Sequence, residues 1–550
     1  MRDLLGILQT VNAPDGRGLA STNAPVGSTP EYEQEMTEEF ALYDSSSIDA
    51  MRVMATSMPL ASGYANPYDL PFNTEEYAAL TENGFRAVTT SPLSTFSADV
   101  DTASYCNLRR MLNGGYTPDQ IPSGAVRVEE MLNYFRYDYP QPTGDERFSV
   151  DAELAPCPWN PEAVLLMLGV RAADNAAAQP ADPASQGSNL VFLIDVSGSM
   201  DYDNKLGLVK QALYMLLDEL GENDTISVVT YAAGERILIE GASPARDKAR
   251  LMSAIEDLEA SGYTDGQRGL AQAYEVAQRY FRPDGNNRVI MCSDGDLNVG
   301  ITSESDLHDY VSEKRKTGIY LSVLGFGEGN YKDTKMETLA DDGNGNYYYI
   351  DSILEARKVL VEEMTQTLYT VADDVKFQIE FNPARVAAYR QVGYENRALE
   401  DADFADDKKD AGEVGSGACV TVLYELIPAK REEDAQGDGL RYQQSTLTEA
   451  AESGEWLTVS IRYKEPGAAE SQLMTVAVGE DAYGEAPSGD MKFAAAVAEF
   501  GMLLKDSEFK GEASFDSVIE LLKQAPLTDD YREEFFSLVK IAERAEALDR

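Results

Sequence analysis

The chain of 550 residues carries 95 acidic and 46 basic side chains, for a net charge of -49 at pH 7. Such a field repels phosphate backbones and anionic lipid surfaces, so nucleic acid is a poor candidate partner. Its four cysteines are scattered without C-x-x-C spacing. That pattern argues against a zinc site and a disulfide-rich scaffold, and we expect buried free thiols. The length indicates about three to four domains.

The sequence contains neither a recognisable membrane span nor a good signal peptide. No segment approaches the roughly 20 apolar residues of a membrane span. Residues 1–11 contain one basic residue and a short apolar run broken by Gly6, which makes a poor signal peptide. We therefore expect a cytoplasmic chain, or one whose export segment was removed. The single histidine, His308, argues against histidine-based hydrolytic chemistry.

The amino-terminal part divides into a tail and a structured region. Residues 1–72 are rich in Pro, Gly, Ser, Thr and acidic residues without periodicity, which predicts a flexible tail. Residues 73–187 contain apolar residues at helical and then at strand spacing, and end in a linker from 172. The predicted elements are helices Tyr105–Asn113 and Ala125–Phe135 and strands Phe148–Leu154 and Ala163–Val170.

Residues 188–369 alternate strands with helices. The nearly unbroken apolar run Asn189–Ile194 is typical of a strand buried on both faces of a parallel sheet. The alternation predicts an α/β domain, a doubly wound and mostly parallel sheet with right-handed crossovers. Its predicted strands are 189–194, 225–231, 236–240, 288–292, 319–326 and 347–350, and its predicted helices are 206–220, 245–258, 266–280, 303–316, 333–340 and 353–368.

The carboxyl-terminal part changes character again. Residues 370–485 alternate apolar and polar positions or carry β-branched residues, which predicts an antiparallel β-sandwich with strands at 375–381, 418–427, 455–463 and 472–478. Residues 486–550 predict helices at 492–504, 515–523 and 530–547. We further hypothesise that strands on both sides of the doubly wound domain join one sheet. That domain would then be an insertion into the sandwich.

Polar side chains follow the first buried strand in the pattern D-x-S-x-S, formed by Asp195, Ser197 and Ser199. In open α/β sheets, ligands bind beyond the carboxyl ends of the strands. Asp294 follows the later strand 288–292, and Thr264 lies in a loop before a helix at the same edge. Taken singly, each of these residues could simply cap a helix or form a turn. Together they place two carboxylates and three hydroxyls at one point.

Such an all-oxygen set selects a hard divalent cation, Mg²⁺ first and Mn²⁺ or Ca²⁺ as alternatives, rather than zinc. The carboxylates would repel one another without a cation. Five protein groups, some acting through water, leave one coordination position open, and a carboxylate from a partner can fill it. The sequence therefore predicts a metal site completed by an acidic partner.

These motifs resemble a known domain. The stretch Leu190–Met200 (LVFLIDVSGSM), with Thr264 and Ser293-Asp294-Gly295, is similar to the metal-ion-dependent adhesion site of von Willebrand factor type A (VWA) domains. The resemblance assigns Asp195, Ser197, Ser199, Thr264 and Asp294 to the metal. Tyr263 and Asp265 stand where small residues are more usual. Asp265 could add charge near the ion or cap the next helix, and we favour the cap.

The similarity continues on both sides of this domain. Residues 92–105 and 125–135, and segments near 381–384, 393–397 and 406–415, resemble the flanking regions of a bacterial family of VWA-containing proteins. Members of that family are often exported, commonly with a lipoprotein-type signal. The resemblance thus favours the cell envelope, although residues 1–11 do not resemble such a signal.

Three classes of function follow. The leading hypothesis is a non-enzymatic, metal-dependent module that binds a protein presenting an acidic residue. The second is a structural or assembly component of the cell envelope, in which the metal only stabilises the domain. The third is a metal-assisted hydrolase, because two carboxylates and a metal could activate water. Ser199 has no sequence-local histidine or lysine partner, which disfavours the third class.

Overall fold

A computed structural model describes residues 77, 81–98, 100–174, 187–232, 234–262, 266–283, 285–295, 304–327, 333–363, 366, 369–409, 411–430 and 447–549. The predicted tail 1–72, most of the linker after 172, and Tyr263, Thr264 and Asp265 lie outside the described residues.

The strands of the described ranges are, in chain order, β1 (Arg86–Ala87), β2 (Leu93–Ser97), β3 (Phe148–Pro156), β4 (Val164–Ala172), β5 (Ser188–Asp195), β6 (Thr225–Tyr231), β7 (Glu235–Ala242), β8 (Asn286–Ser293), β9 (Tyr320–Phe326), β10 (Tyr347–Ile350), β11 (Thr370–Phe381), β12 (Val386–Val392), β13 (Gly412–Gly415), β14 (Cys419–Pro428), β15 (Leu457–Lys464) and β16 (Gln472–Val478).

The α-helices of the same ranges are α1 (Ala103–Asn113), α2 (Val128–Asn133), α3 (Leu208–Glu219), α4 (Pro244–Glu256), α5 (Gly266–Arg279), α6 (Glu304–Arg315), α7 (Asp333–Asp342), α8 (Ile353–Arg357), α9 (Gly489–Leu504), α10 (Phe515–Gln524) and α11 (Asp530–Asp549). Short π-helices occupy Asp203–Gly207 and Lys358–Glu362, and short 3₁₀ turns occupy Pro118–Gln120, Ser123–Ala125, Gly198–Met200, Asp401–Ala405, Glu449–Glu452 and Glu480–Ala482.

The central domain is the predicted doubly wound sheet, with strand order β10-β9-β8-β5-β6-β7. All neighbouring pairs are parallel except β6 with β7, which is antiparallel. Strand β5 lies in the middle and every residue in it is buried. Leu190, Phe192 and Ile194 pack in the layer of α3, whereas Val191 and Leu193 pack in the layer of α5. Helices therefore cover both faces, which explains the unbroken apolar run of β5.

Two antiparallel sheets form the sandwich outside this domain. One has the order β1-β12-β14-β4-β3, and the other has the order β13-β11-β15-β16 with β2 also paired to β11. Strand β4 precedes the doubly wound domain and β14 follows it, yet they pair along their whole length, from Cys419 opposite Arg171 to Leu426 opposite Val164. Strands from both sides of the doubly wound domain therefore join one sheet, as the insertion hypothesis requires.

Four strands were not predicted, and the end of one helix was predicted wrongly. Strands β1, β2, β12 and β13 were missed, because their sequences mix polar side chains into short apolar runs. In β12, for example, Arg390 and Gln391 are buried, since Arg390 donates hydrogen bonds to the buried carboxylate of Glu425 on β14. Residues 353–368 were predicted to form one helix. In the structure the α-helix ends at Arg357, and the chain continues as a π-helix to Glu362.

The helices of the two flanking regions pack together. Helix α9 is apolar nearly all round and is buried along most of its length, as expected for a helix surrounded by protein. The hydroxyl of Ser488 caps its first turn by accepting the amide N–H of Met491 at 3.0 Å. Gly501 lets α9 approach α2 closely, because a Cβ there would lie 3.0 Å from Val128 and 3.2 Å from Met131.

A buried arginine joins these helices to the doubly wound domain. Arg109 on α1 is 3% exposed and ion-pairs with Asp351 and Glu355 around the end of β10 and with Glu534 on α11. Its guanidinium also donates to the hydroxyl of Tyr134 at 2.9 Å. Removing one partner of such a buried network leaves uncompensated charge, at a cost of about 3 to 5 kcal/mol.

The cysteines and the helices of the structure bear on two expectations drawn from composition. All four cysteines are free thiols; Cys106, Cys157 and Cys292 are buried as predicted, whereas Cys419 is only half-buried. None of the helices in the described ranges combines the length and the apolar character needed to cross a membrane.

One carboxyl group lies deep in the helical region. Glu499 on α9 is fully buried; the hydroxyl of Ser517 donates to its Oε2 at 2.6 Å, while its Oε1 has no hydrogen-bond partner among the described residues. Burial raises the pKa of Glu499 to about 7, and the Ser517 hydrogen bond only partly opposes this. Because the unfolded chain loses this proton first, wild-type stability falls as pH rises from about 4.5 to 7.

We predict that Glu499→Gln flattens this pH dependence, since the amide keeps the acceptor for Ser517 and carries no charge. At pH 8 the variant should exceed the wild type by up to about 3 kcal/mol in free energy of unfolding, with little difference at pH 4.5. Urea denaturation at both pH values measures this. Glu520→Gln is the control, because the side chain of Glu520 on α10 is exposed. A pH dependence in Glu499→Gln equal to that of the wild type would contradict the prediction.

Candidate metal centre

The predicted site lies at the carboxyl edge of the central sheet. Asp195 is the last residue of β5, and Asp294 directly follows the neighbouring parallel strand β8. The two strands are in register up to Ile194 opposite Cys292. On the other side of β5, Tyr231 ends β6 opposite Asp195. The chain therefore leaves three adjacent strands at the same edge.

The loop after β5 gathers the D-x-S-x-S side chains. The amide N–H of Ser197 donates to Asp195 Oδ1 at 2.8 Å, and the hydroxyls of Ser197 and Ser199 are 2.9 Å apart. Asp195 and Ser197 are buried, at 0% and 2% exposure, while Ser199 is half-buried. One carboxylate and two hydroxyls thus share a tight loop.

Asp195 carries a charge that its surroundings do not balance. Its Oδ2 is buried and has no cationic partner among the described residues, and the hydroxyl of Tyr231 lies near the carboxylate. Burial raises the pKa of Asp195 to about 6; hydrogen bonds from Ser197 and Tyr231 oppose the rise, and the charge of Asp294 adds to it. A buried, unsatisfied carboxylate oxygen beside two hydroxyls fits a hard divalent cation, because such ions take oxygen ligands.

Asp294 is equally buried, at 1% exposure, but has a cationic partner. The ammonium group of Lys205 donates to Asp294 Oδ2 at 2.9 Å. Sequence reasoning missed Lys205. The sequence does contain a sign that this lysine is buried. Lys205 lies at helical spacing with the apolar residues Val209 and Ala212, so it falls on the buried side of the segment.

Thr264 lies outside the described residues, so its position stays a prediction. The chain just before it is nevertheless held against the Asp195 loop. The amide N–H of Ser261 donates to the carbonyl of Val196 at 2.7 Å, and that of Gly198 donates to the carbonyl of Gly262 at 3.1 Å. These bonds bring the segment that leads to Thr264 to the same edge of the sheet.

A second group of candidate ligands lies elsewhere in the described part of the chain. Cys106, Asp351 and Glu355 place their ligand atoms within 4.8 Å of one another. Arg109 ion-pairs with both carboxylates of this group. Burial also raises the pKa of the Cys106 thiol well above its usual value. The group is accordingly an ion network held by Arg109 rather than a metal site.

Family comparisons cover nearly all of the described chain. Residues 189–363 match the model of the von Willebrand factor type A domain, and residues 71–167 match a model described as von Willebrand factor. Residues 366–545 match the carboxyl-terminal model of the uncharacterized protein YfbK.

Three individual proteins are similar to this chain over different lengths. The uncharacterized protein YfbK of Escherichia coli (strain K12) is 42% identical over 498 residues, which cover 88% of this chain and 83% of that protein. Inter-alpha-trypsin inhibitor heavy chain H3 of Homo sapiens is 27% identical over 191 residues, or 33% of this chain and 21% of that protein. A solved von Willebrand factor type A protein from Catenulispora acidiphila aligns over 74% of this chain and 91% of its own, at 16% identity and a TM-score of 0.39.

The 42% identity over most of both chains shows the relationship, and the three family models agree with it. This chain belongs to the YfbK family of bacterial proteins that carry a von Willebrand factor type A domain.

Proposed function

We propose that this chain is a non-catalytic, metal-ion-dependent protein-binding module. Asp195, Ser197 and Ser199 would hold a divalent cation, Mg²⁺ first, together with Thr264 and Asp294. A carboxylate of a partner protein would complete the coordination. The observation that supports this best is the buried Asp195 Oδ2, which has no cationic partner among the described residues and lies beside two serine hydroxyls at the strand edge.

The donor set supports the choice of ion. Carboxylate and hydroxyl oxygens suit Mg²⁺, Mn²⁺ or Ca²⁺, and Mg²⁺ usually keeps one or more positions for water or an outside oxygen. The chain's own residues do the positioning: the amide of Ser197 orients Asp195, and the contacts of Ser261 and Gly198 hold the adjoining loop. When bound, the cation supplies a positive centre for an anionic ligand.

Binding is a better account of this edge than catalysis. The single histidine, His308, is exposed on α6 and pairs with Asp342 at 2.5 Å. Ser199 Oγ contacts the hydroxyl of Ser197. The match of residues 189–363 to the VWA model and the similarity to inter-alpha-trypsin inhibitor heavy chains support an interaction module. A chain in which the cation only stabilises the domain remains the second candidate, and the experiments below separate the two.

We predict that Asp195→Asn stabilises the protein when no cation is bound, because the amide removes a buried charge and keeps the acceptor for Ser197. In EDTA at pH 7.5 the free energy of unfolding should rise by about 1 to 3 kcal/mol. Saturating Mg²⁺ should stabilise the wild type but not the variant. Urea denaturation measures both effects, with the exposed Asp201→Asn as control. A variant less stable than the wild type in EDTA would contradict this expectation.

We also predict that Asp195→Ala abolishes Mg²⁺ binding in titration calorimetry and abolishes capture of a partner protein. Capture is measured from extracts of the cells that express the chain, with and without EDTA. Circular dichroism should show an unchanged fold, and Asp201→Ala should bind as the wild type does. Partner capture by Asp195→Ala in EDTA would refute the proposal. Mg²⁺-induced stabilisation together with EDTA-insensitive capture would favour the purely structural role.

A further inference from the structure

Lys205 is a buried lysine at the edge of the central sheet. It lies in the π-helix Asp203–Gly207, which precedes α3, and is 6% exposed. Its Nζ donates to Asp294 Oδ2 at 2.9 Å and lies 5.6 Å from the ring centroid of Tyr202. Lysine is rarely buried unless it is paired, so its position has to be explained by Asp294.

The fold provides a slot for the stem of this lysine. Gly327 follows β9 with a φ of +80°, and a Cβ there would lie 2.2 Å from Cε of Lys205 and 2.6 Å from its Cγ. The hydroxyl of Tyr349 donates to the carbonyl of Gly327 at 2.5 Å and fixes the slot from the neighbouring strand β10. The stem of Lys205 therefore runs along Gly327 at the end of β9, and its ammonium group reaches Asp294.

The three buried charged side chains at this edge of the sheet have a net negative charge. Asp195 and Asp294 contribute minus two and Lys205 contributes plus one, which leaves minus one among these three buried side chains. Asp201 and Asp203 on the same segment are exposed, so water and salt screen them. A divalent cation would bring the sum to plus one. Without Lys205 the sum would be zero, and the bound ion would attract an anion less strongly.

We infer that Lys205 is a positioning residue that sets the charge of the metal centre. It holds Asp294 in place before the cation arrives, and it keeps the loaded centre net positive, so that the open position takes an anionic ligand. This inference rests on the proposed function, since it concerns the same site. It adds a role for a residue outside the D-x-S-x-S, Thr264 and Asp294 set.

The test uses Lys205→Met, which keeps the apolar stem in its slot and removes the charge. We expect Mg²⁺ to bind roughly tenfold more tightly, because the site gains one net negative charge. In EDTA the melting temperature should fall, because Asp294 loses its ion pair with Lys205. Titration calorimetry with Mg²⁺ and thermal denaturation in EDTA measure the two effects. A lysine with a merely structural role would give weaker or unchanged Mg²⁺ binding.

Two further variants complete the experiment. Lys205→Met with Asp294→Asn removes both charges of the buried ion pair, so the melting temperature in EDTA should return toward the wild-type value. The Mg²⁺ affinity of this double variant should fall below that of the wild type, because Asp294 is itself a proposed ligand. Lys210→Met is the control, because its Nζ donates to the carbonyl of Glu256 instead of to the site. If Lys205→Met is unfolded in EDTA, saturating Mg²⁺ should refold it.

The outcomes are distinguishable. Unchanged or weaker Mg²⁺ binding by folded Lys205→Met, or failure of Mg²⁺ to refold it, overturns the inference and leaves the proposed function standing. Wild-type protein that binds no Mg²⁺ overturns both. Tighter Mg²⁺ binding by Lys205→Met, together with a lowered melting temperature in EDTA that the double variant restores, supports the role of Lys205.

Discussion

The parallel pairing of β5 with β6 and β8 is the constraint on which the candidate site depends. Parallel strands end at the same edge, and the register of Ile194 opposite Cys292 places Asp195 and Asp294 just beyond neighbouring strand ends. A slip of one residue would turn the side chains of β5 toward the opposite layers. The buried apolar residues on both faces of β5 prevent such a slip, so the core also determines the geometry of the site.

The two carboxylates at this edge are buried to the same degree but are balanced differently. Asp294 has the ammonium group of Lys205, whereas Oδ2 of Asp195 has no cationic partner among the described residues. Burying a charge without compensation is expensive. Under the proposed function, an edge that leaves one buried carboxylate without a counter-charge would trade stability of the free protein for affinity toward a cation. The group around Arg109 differs, because each of its three carboxylates pairs with the guanidinium.

The flanking regions hold both ends of the doubly wound domain. The pairing of β4 with β14 brings together the segments that enter and leave it, and Arg109 ties α1 and α11 to the end of β10. The domain is therefore anchored both by the sheet that contains β4 and β14 and by helices α1 and α11. Its site remains at the carboxyl edge of the sheet, where Ser199 is half-buried and Gly198 is exposed.

The sequence by itself determined the alternation of strands and helices, the burial of β5 on both faces, and the D-x-S-x-S loop with Asp294, because these depend on local apolar patterns and on residue order. It even suggested the insertion. Only the tertiary structure revealed β12, whose buried Arg390 looks like a surface residue until Glu425 is placed opposite it. Likewise, it alone showed that Lys205 pairs with Asp294. Both depend on charges far apart in the chain that meet only after folding, and no local period encodes such a meeting.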